Sequence, residues 1–412
     1  MRDKSVLLAL LLATGLAITG CQKPVAKPQY DRPLPRGQLA LRKITNPYEI
    51  PDFAPACHNL AWMSQAIDNS LNYLNKPSSQ KYFPYGQITH QQAVASLKAF
   101  KELINSGLRG RQLNAAVREQ FDVYVSVGCD DKGTVLFTGY YTPIFDGSPT
   151  ATGQFTHPLY KQPEDLVKGP NGEILGRRGP DGQIGPYPSR GEIEESGMLK
   201  GKELFWLSDP FEAYIAHVQG SAKLRMPEGE LATVGYAASN GHEYHSVAQE
   251  LVKDERIPAE KLSLSAMIDY FRNHADQILA YTRRNPRFVF FRKEDGPPRG
   301  SLNEPVTPLR TIATDKSIYP RACLAFVSTT LPRTIGGAIY LDPYRGFALD
   351  QDTGGAIRAP GRCDVYMGVG DTAGKLAGHT YQEGKLYYLF LKQTNQPILA
   401  ESSPNVFHAT KR

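Results

Sequence analysis

Two aspartates, Asp352 and Asp364, stand in a glycine-rich frame, DTGGAIRAPGRCDVYMGVGD, at residues 352–371. Gly354 and Gly355 follow the first; without a Cβ they let the chain turn tightly and a ligand approach the main chain. Asp364 heads DVYMGVG, where strand alternation places Asp364 and Tyr366 on one face and Val365 and Met367 on the other. A carboxyl beside an aromatic ring, in a cleft near a second carboxylate, has its pKa raised by desolvation and like charge. Such a group keeps its proton near neutral pH and can donate it, which is the acid half of glycosidic bond cleavage. The residues alone leave a second reading open, in which both aspartates simply accept backbone amides in glycine-rich turns.

Other chemistries find less support. No GxxxxGK[ST] loop or GxSxG elbow is present, and GVGDTAG lacks the βαβ setting of a dinucleotide fingerprint. His242 and His245 in GHEYHS are spaced for a metal, but no third ligand is evident, so neither metal nor cofactor is expected. Glu192, Glu194 and Glu212 are rival acids that read as capping charges at turns or helix starts. A net charge of +6 suits an anionic polymer or membrane surface. No Lys/Arg cluster is dense enough for a nucleic-acid footprint.

Raised glycine and proline point to many turns and disfavour an all-helical fold. Helices are expected over 59–74, from Thr89 with Gln92 in a capping-box pattern, and over 112–121. FDVYVSVGCDDKGTVLFTGYYTPIF reads as two strands of a hairpin turning at DDKG. Residues 165–190 read as a long polar loop. SDPFEAYIAHVQG starts a helix at Ser208 or Asp209 with Pro210 in its first turn, and further helices are expected near 246–253 and 265–282. A strand then opens at Pro286.

The N-terminus has a basic start, an apolar run from Val6 to Ile18 and small residues up to Cys21. The run is shorter than the roughly 20 residues of a spanning helix and reads as an export signal over 1–20. ITGC resembles a bacterial lipobox, with Cys21 as the lipidated residue; the alternative is a plain secretory signal with a chance cysteine. Gln22 then points to the outer membrane of a diderm host, with the protein facing the periplasm. Residues 21–56, rich in proline and charge, read as a tether. Cys57, Cys129, Cys323 and Cys363 remain, an even number in an oxidising compartment. Three pairings are open, with Cys57–Cys129 and Cys323–Cys363 preferred.

The stretch ALDQDTGGAIRAPGRCDVYMGVGDTAGKLAGHTYQEGKLYYL resembles the C-terminal three-aspartate domain of the membrane-bound lytic murein transglycosylase A family. FTGYYTPIF, DPFEAYIAHVQGSAKLRM with VGYAASNGHEYHSVAQELV, and NPRFVFFRK agree with it, in the family's order, over roughly residues 120 to 395. The resemblance implies a mainly β fold with accessory helices. A double-psi β-barrel domain over 57–142 and 285–412 would carry the N-terminal helices, and a second β-barrel-like domain would be inserted over 143–284. The glycan strand would lie in the groove between them. It implies Asp364 as the single catalytic acid, then base, cleaving the β-1,4 bond of peptidoglycan to leave a 1,6-anhydromuramoyl end. Matched positions offer Thr138, Tyr140, Gln219 and Ser221 to hold substrate, Gly354 and Gly355 for backbone contacts, Asp352 to orient the site and Tyr366 to stack on a sugar. Implied partners are glycan strands, the outer membrane and other cell-wall enzymes. The pattern's first aspartate aligns with Phe326, where no acid stands. A wall-binding lipoprotein that does not cut and a muramidase that uses water are the competing readings.

Overall fold

The computed structural model describes residues 28–170 and 172–393; the export signal and Cys21 lie outside the described residues. From Phe121 onward β-branched and aromatic residues recur and strands dominate. Six of them close a ring: Val135–Thr142, Tyr381–Leu391, Leu324–Ile335, Ala338–Asp352, Thr311–Ala313 and Arg362–Val369, which returns to Val135–Thr142. Parallel pairing of Thr311–Ala313 with Ala338–Asp352, and of Arg362–Val369 with Val135–Thr142, is mixed with antiparallel pairing elsewhere, as a double-psi barrel requires. Closure leaves these strands no free edge.

The Val135–Thr142 strand passes through Pro143 straight into Ile144–Ser148 of a second sheet. That sheet orders Val289–Glu294, Leu231–Ser239, Ser221–Arg225, Ile144–Ser148, Glu203–Leu207 and His157–Tyr160. A parallel bridge between Lys161 and Phe291 joins its ends. Leu224, Val234, Phe271 and Phe291 belong to a core of its own. The fold is thus mainly β with accessory helices, in two barrel-like units. The second reaches Glu294, beyond the expected limit at 284, because Val289–Glu294 pairs with Leu231–Ser239.

Helices Met63–Leu74, His90–Asn105 and Gly110–Gln120 bury Ile67, Phe100 and Val117 in the larger core. The Thr89 hydroxyl accepts from the Gln92 amide at 3.1 Å, but the Gln92 side chain donates to the Leu391 carbonyl, so the capping box is half made. Helix Pro210–Gln219 starts at Asp209, which accepts from the Phe211 and Glu212 amides. The helix expected over 265–282 is divided into Leu264–Asn273, a 3-10 turn Ala275–Gln277 and Ile278–Thr282. His274, at φ −139°, lies at the break.

Several expectations need correction. Phe121–Ser126 and Val135–Thr142 are joined by a tight turn but do not pair, because Tyr381–Leu391 runs between them and bonds to both. The polar stretch 165–190 is not a loop throughout: Leu166–Lys168, Ile174–Arg178 and Ile184–Gly185 form a small sheet. The tether does not extend to residue 56, since Leu41–Lys43 pairs with Phe121–Ser126 and Phe53 is fully buried. Among the described residues no disulfide forms: Cys57, Cys129, Cys323 and Cys363 are buried free thiols. Cys323 adjoins the Leu324–Ile335 strand and Cys363 lies on Arg362–Val369, which stand on opposite sides of the six-stranded ring. Cys57 lies in a turn packed on the Ala338–Asp352 strand, whereas Cys129 follows Phe121–Ser126, which joins the ring through Tyr381–Leu391. Phe326 is core, with ring centroids 4.8 Å from Phe53 and 5.3 Å from Phe347.

A buried polar network braces the barrel next to Asp352. Asp350 is fully buried and accepts from Lys316 Nζ, from the Thr314 hydroxyl at 2.8 Å and from the Tyr388 hydroxyl at 2.6 Å. Removing the cation leaves a buried carboxylate without its counter-charge. Lys316→Met is expected to lower unfolding free energy by about 3–5 kcal/mol in urea titrations, and Lys316→Met with Asp350→Leu to recover part of it.

Candidate active site

Asp364 sits on an internal strand of the ring, opposite Thr138 on the parallel side and Ala313 on the antiparallel side. Alternation works as the sequence implies: Cys363, Val365 and Met367 enter the core, while Asp364 and Tyr366 line a groove. That groove, with a cavity volume of about 540 Å³, runs between the two barrels. The first barrel contributes Tyr140, Asp352, Gly354, Gly355, Asp364 and Tyr366, and the second contributes Gln219, Ser221, Tyr236 and Arg287. The structure therefore gathers the sequence-derived residues at one place, with Thr138 just behind the wall.

Asp364 is partly exposed to the groove and accepts a hydrogen bond from the Thr138 hydroxyl. Burial pushes its carboxyl up to about 6; the Arg362 guanidinium pulls the other way and the Asp352 charge adds to the rise. Arg362 also donates to the Thr138 hydroxyl at 3.4 Å. These contacts moderate the cost of ionisation without removing it, which suits a group that must both give and take a proton.

Asp352 has a different environment. Its oxygens accept from the Tyr140 hydroxyl at 2.8 Å, the Ser301 amide at 2.7 Å and the Thr353 amide at 2.8 Å. Burial raises its pKa, and these three neutral donors oppose the rise. They also fix its orientation, so it holds Tyr140 and the 301 loop in place. Tyr366 is 1% exposed, stands 5.1 Å ring to ring from Tyr140 and shares a hydrogen bond with Thr142 at 2.9 Å. Its ring supports the wall and offers no open face to a sugar.

On the opposite wall, Gln219 Oε1 accepts from the Tyr141 amide at 3.3 Å and the Ser221 hydroxyl lies 3.4 Å from that of Thr142. At Gly355 the units lie close together: a Cβ there would stand 3.2 Å from Arg287 Nε and 3.3 Å from Tyr244 Cβ. His217, also lining the groove, is held well below its ordinary pKa by burial and by Arg190, and its Nδ1 accepts from the Val289 amide at 3.0 Å.

The rival acids lie elsewhere. Glu192 completes a capping box with Ser189, and Glu194 pairs with Arg190 and Arg283. Glu212 is pushed up to about 7 by burial and by Asp209 and Asp146, but it stands outside the groove lining. His242 bonds the Tyr187 carbonyl and His245 bonds Glu250; among the described residues no group of metal-ligating side chains occurs. Residues that sequence reasoning missed include Arg287, Arg358 and Tyr244; they lie within NPRFVFFRK, DTGGAIRAPGR and GHEYHS, but nothing local shows that these blocks line one groove. Asp315 was also passed over: this buried carboxylate accepts from the Ser317 and Ala359 amides and so anchors the segment after the glycines.

Comparison with known proteins agrees with this layout. Residues 136–292 match the MltA specific insert domain and residues 310–390 match the 3D domain. Membrane-bound lytic murein transglycosylase A of Escherichia coli K12 is 26% identical over 367 residues, covering 87% of this chain and 90% of that protein. Its counterpart in Vibrio cholerae is 28% identical over 277 residues, covering 66% and 69%. Among solved structures, the membrane-bound lytic murein transglycosylase of Agrobacterium tumefaciens superposes with a TM-score of 0.71 at 23% identity, covering 85% of this chain and 98% of that one. E. coli MltA with bound chitohexaose gives 0.65 at 23%, covering 90% and 98%. With insert and three-aspartate domains matched in order and relatives aligned along most of its length, this chain belongs to the membrane-bound lytic murein transglycosylase A family.

Proposed function

We propose that the protein is a lytic transglycosylase that cleaves the β-1,4 bond between N-acetylmuramic acid and N-acetylglucosamine in peptidoglycan. The observation that carries this reading is a groove carboxyl, Asp364, that burial pushes up and that accepts from the Thr138 hydroxyl. Asp364 is raised to about 6, whereas Asp352 is tied by three donors of its own and Glu294 is paired with Arg292. Ordinary glycosidases need a second carboxylate as base or nucleophile. A muramoyl residue supplies its own nucleophile, the 6-hydroxyl.

In this mechanism Asp364 donates its proton to the bridging oxygen as the bond from C1 to that oxygen breaks. The 6-hydroxyl oxygen then bonds to C1 and its proton passes to the Asp364 carboxylate. The 1,6-anhydro ring closes, no water is consumed, and Asp364 returns to its starting state. Intramolecular attack gains from proximity when the ring is held with C6 over C1. Tyr140, Gln219 and Ser221 line the groove where that holding is needed. The family relationship and the E. coli relative crystallised with chitohexaose support a glycan as ligand. A lipid anchor at Cys21 and an outer-membrane, periplasm-facing location belong to the same proposal and rest on the N-terminal sequence.

Purified sacculi digested with the protein are expected to release muropeptides with anhydro ends, one water lighter than reducing ends by mass spectrometry; reducing ends would identify a hydrolase instead. Asp364→Asn is expected to lower release by at least about 100-fold while sacculus binding persists. Because the acid form starts the reaction, kcat/KM should fall as pH rises through about 6. The same shift bears on stability. A carboxyl raised above its unfolded value near 4 stabilises the fold below that pH and loses this contribution as pH climbs through the folded value. Asp364→Asn should therefore melt at a higher temperature than the native protein at pH 8, with the gap closing below pH 4.

A further inference from the structure

Five arginines line the groove, Arg190, Arg287, Arg292, Arg299 and Arg358, against three carboxylates, Glu294, Asp352 and Asp364. Two of the five arginines have carboxylate partners and a third is held by its own loop. Arg190 pairs with Glu194, Arg292 pairs with Glu294, and Arg299 donates to the Asn303 carbonyl at 2.9 Å. Asp364 has Arg362 as its charged neighbour. Arg287 and Arg358, unlike Arg299, lie on different units and face the groove from its two sides. Arg287 donates to the His242 carbonyl at 3.1 Å, also bonds Tyr236, and meets no carboxylate among the described residues. Arg358 makes no hydrogen bond or ion pair among the described residues, although it is near enough to Arg287 for the two charges to repel.

Arg287 is partly buried and Arg358 exposed on the same groove lining, and an anion lying between two like charges relieves their repulsion. The planar guanidinium fork matches a carboxylate in a bidentate geometry, and Arg does this better than Lys. Arg287 lies against Gly355 and Arg358 lines the same groove, so a ligand can approach this part of the lining along the glycine main chain, on the wall that carries Asp364. The inference rests on the glycan reading above. In such a strand only the muramoyl residues are acidic, through a lactyl carboxyl that is free or amide-linked to a peptide with carboxylates of its own. The glucosaminyl residues carry no charge.

We propose that Arg287 and Arg358 form a carboxylate-binding subsite that recognises the acidic arm of a muramoyl residue and thereby sets the register of the strand. Register matters because a lytic reaction succeeds only when a muramoyl C1 faces Asp364. A neutral chito-oligosaccharide can fill the groove but gains nothing from this subsite.

The test uses full-length protein carrying Asp364→Asn, so that ligands are bound and not cut. Calorimetric affinities are compared for chitohexaose, peptide-free glycan oligosaccharides with free lactyl groups, and peptide-bearing oligosaccharides. Arg358→Gln is expected to weaken binding of an acidic glycan about tenfold, and the double variant Arg287→Gln with Arg358→Gln further, with chitohexaose held within twofold. Arg358→Lys should restore only part of the loss. A loss confined to peptide-free strands assigns the lactyl carboxylate, and one confined to peptide-bearing strands assigns the stem. Equal affinity for all three ligands, or an equal loss on chitohexaose, overturns the subsite while leaving anhydro-product release by the native protein intact. If the native protein releases no anhydro ends and none of the three ligands binds, the transglycosylase reading falls and the subsite with it.

Discussion

Limited hydration of one carboxyl group is the condition on which the proposed chemistry depends. Burial disfavours the charge of Asp364 and pushes its carboxyl up to about 6, and the burial comes from its place on an internal strand of a closed ring. On an edge strand the same aspartate would be hydrated and ionised well below pH 6. The Thr138 hydroxyl and the Arg362 guanidinium soften the penalty from the neighbouring strand and from two residues away. Their balance keeps the group close to the point where it can both release and recover a proton.

The second barrel supplies the other half of that condition. It is reached without a linker, since the strand before Pro143 continues into the next sheet and the Lys223 amide donates to the Pro143 carbonyl at 2.8 Å. The two units therefore meet at a short junction, and Gly355 on one faces Arg287 and Tyr244 on the other. A side chain at that glycine would crowd both of them. Asp352 serves this geometry by tying Tyr140 to the 301 loop, and the Lys316–Asp350 network braces the same strand from inside the barrel. Acidic residues close in sequence thus stand in three separate settings: Asp364 facing the groove, Asp352 fixing the wall and Asp350 bracing the core.

Local signals were read well. The caps at Thr89 and Asp209, the apolar faces carrying Ile67 and Phe100, and the alternation around Asp364 all depend on residues within a few positions of one another. The failures share a different cause. The turn at DDKG is real, yet its flanking strands are parted by Tyr381–Leu391, which arrives from the far end of the chain. The polar stretch after residue 165 forms strands because its hydrogen bonds are met by its own neighbours without an apolar pattern. The even cysteine count suggested bridges, but pairing needs proximity, and the barrel sets Cys323 and Cys363 on opposite sides. The alignment also sought an acid at Phe326, a core position, while the buried Asp315 went unnoticed.

The sequence by itself determined the inventory of the site: an acid at 364, a second at 352 beside two glycines, and polar residues at 138, 140, 219 and 221 in the order of a known family. It also determined a strand-rich fold, because residue type and periodicity act within single elements. Tertiary structure alone decided what each group does. It tied Asp352 to three donors, turned Tyr366 into wall support and left Arg287 and Arg358 without a carboxylate partner. Burial, charge balance and hydrogen-bond supply are properties of a neighbourhood, and here each neighbourhood is assembled from strands and loops far apart in the chain.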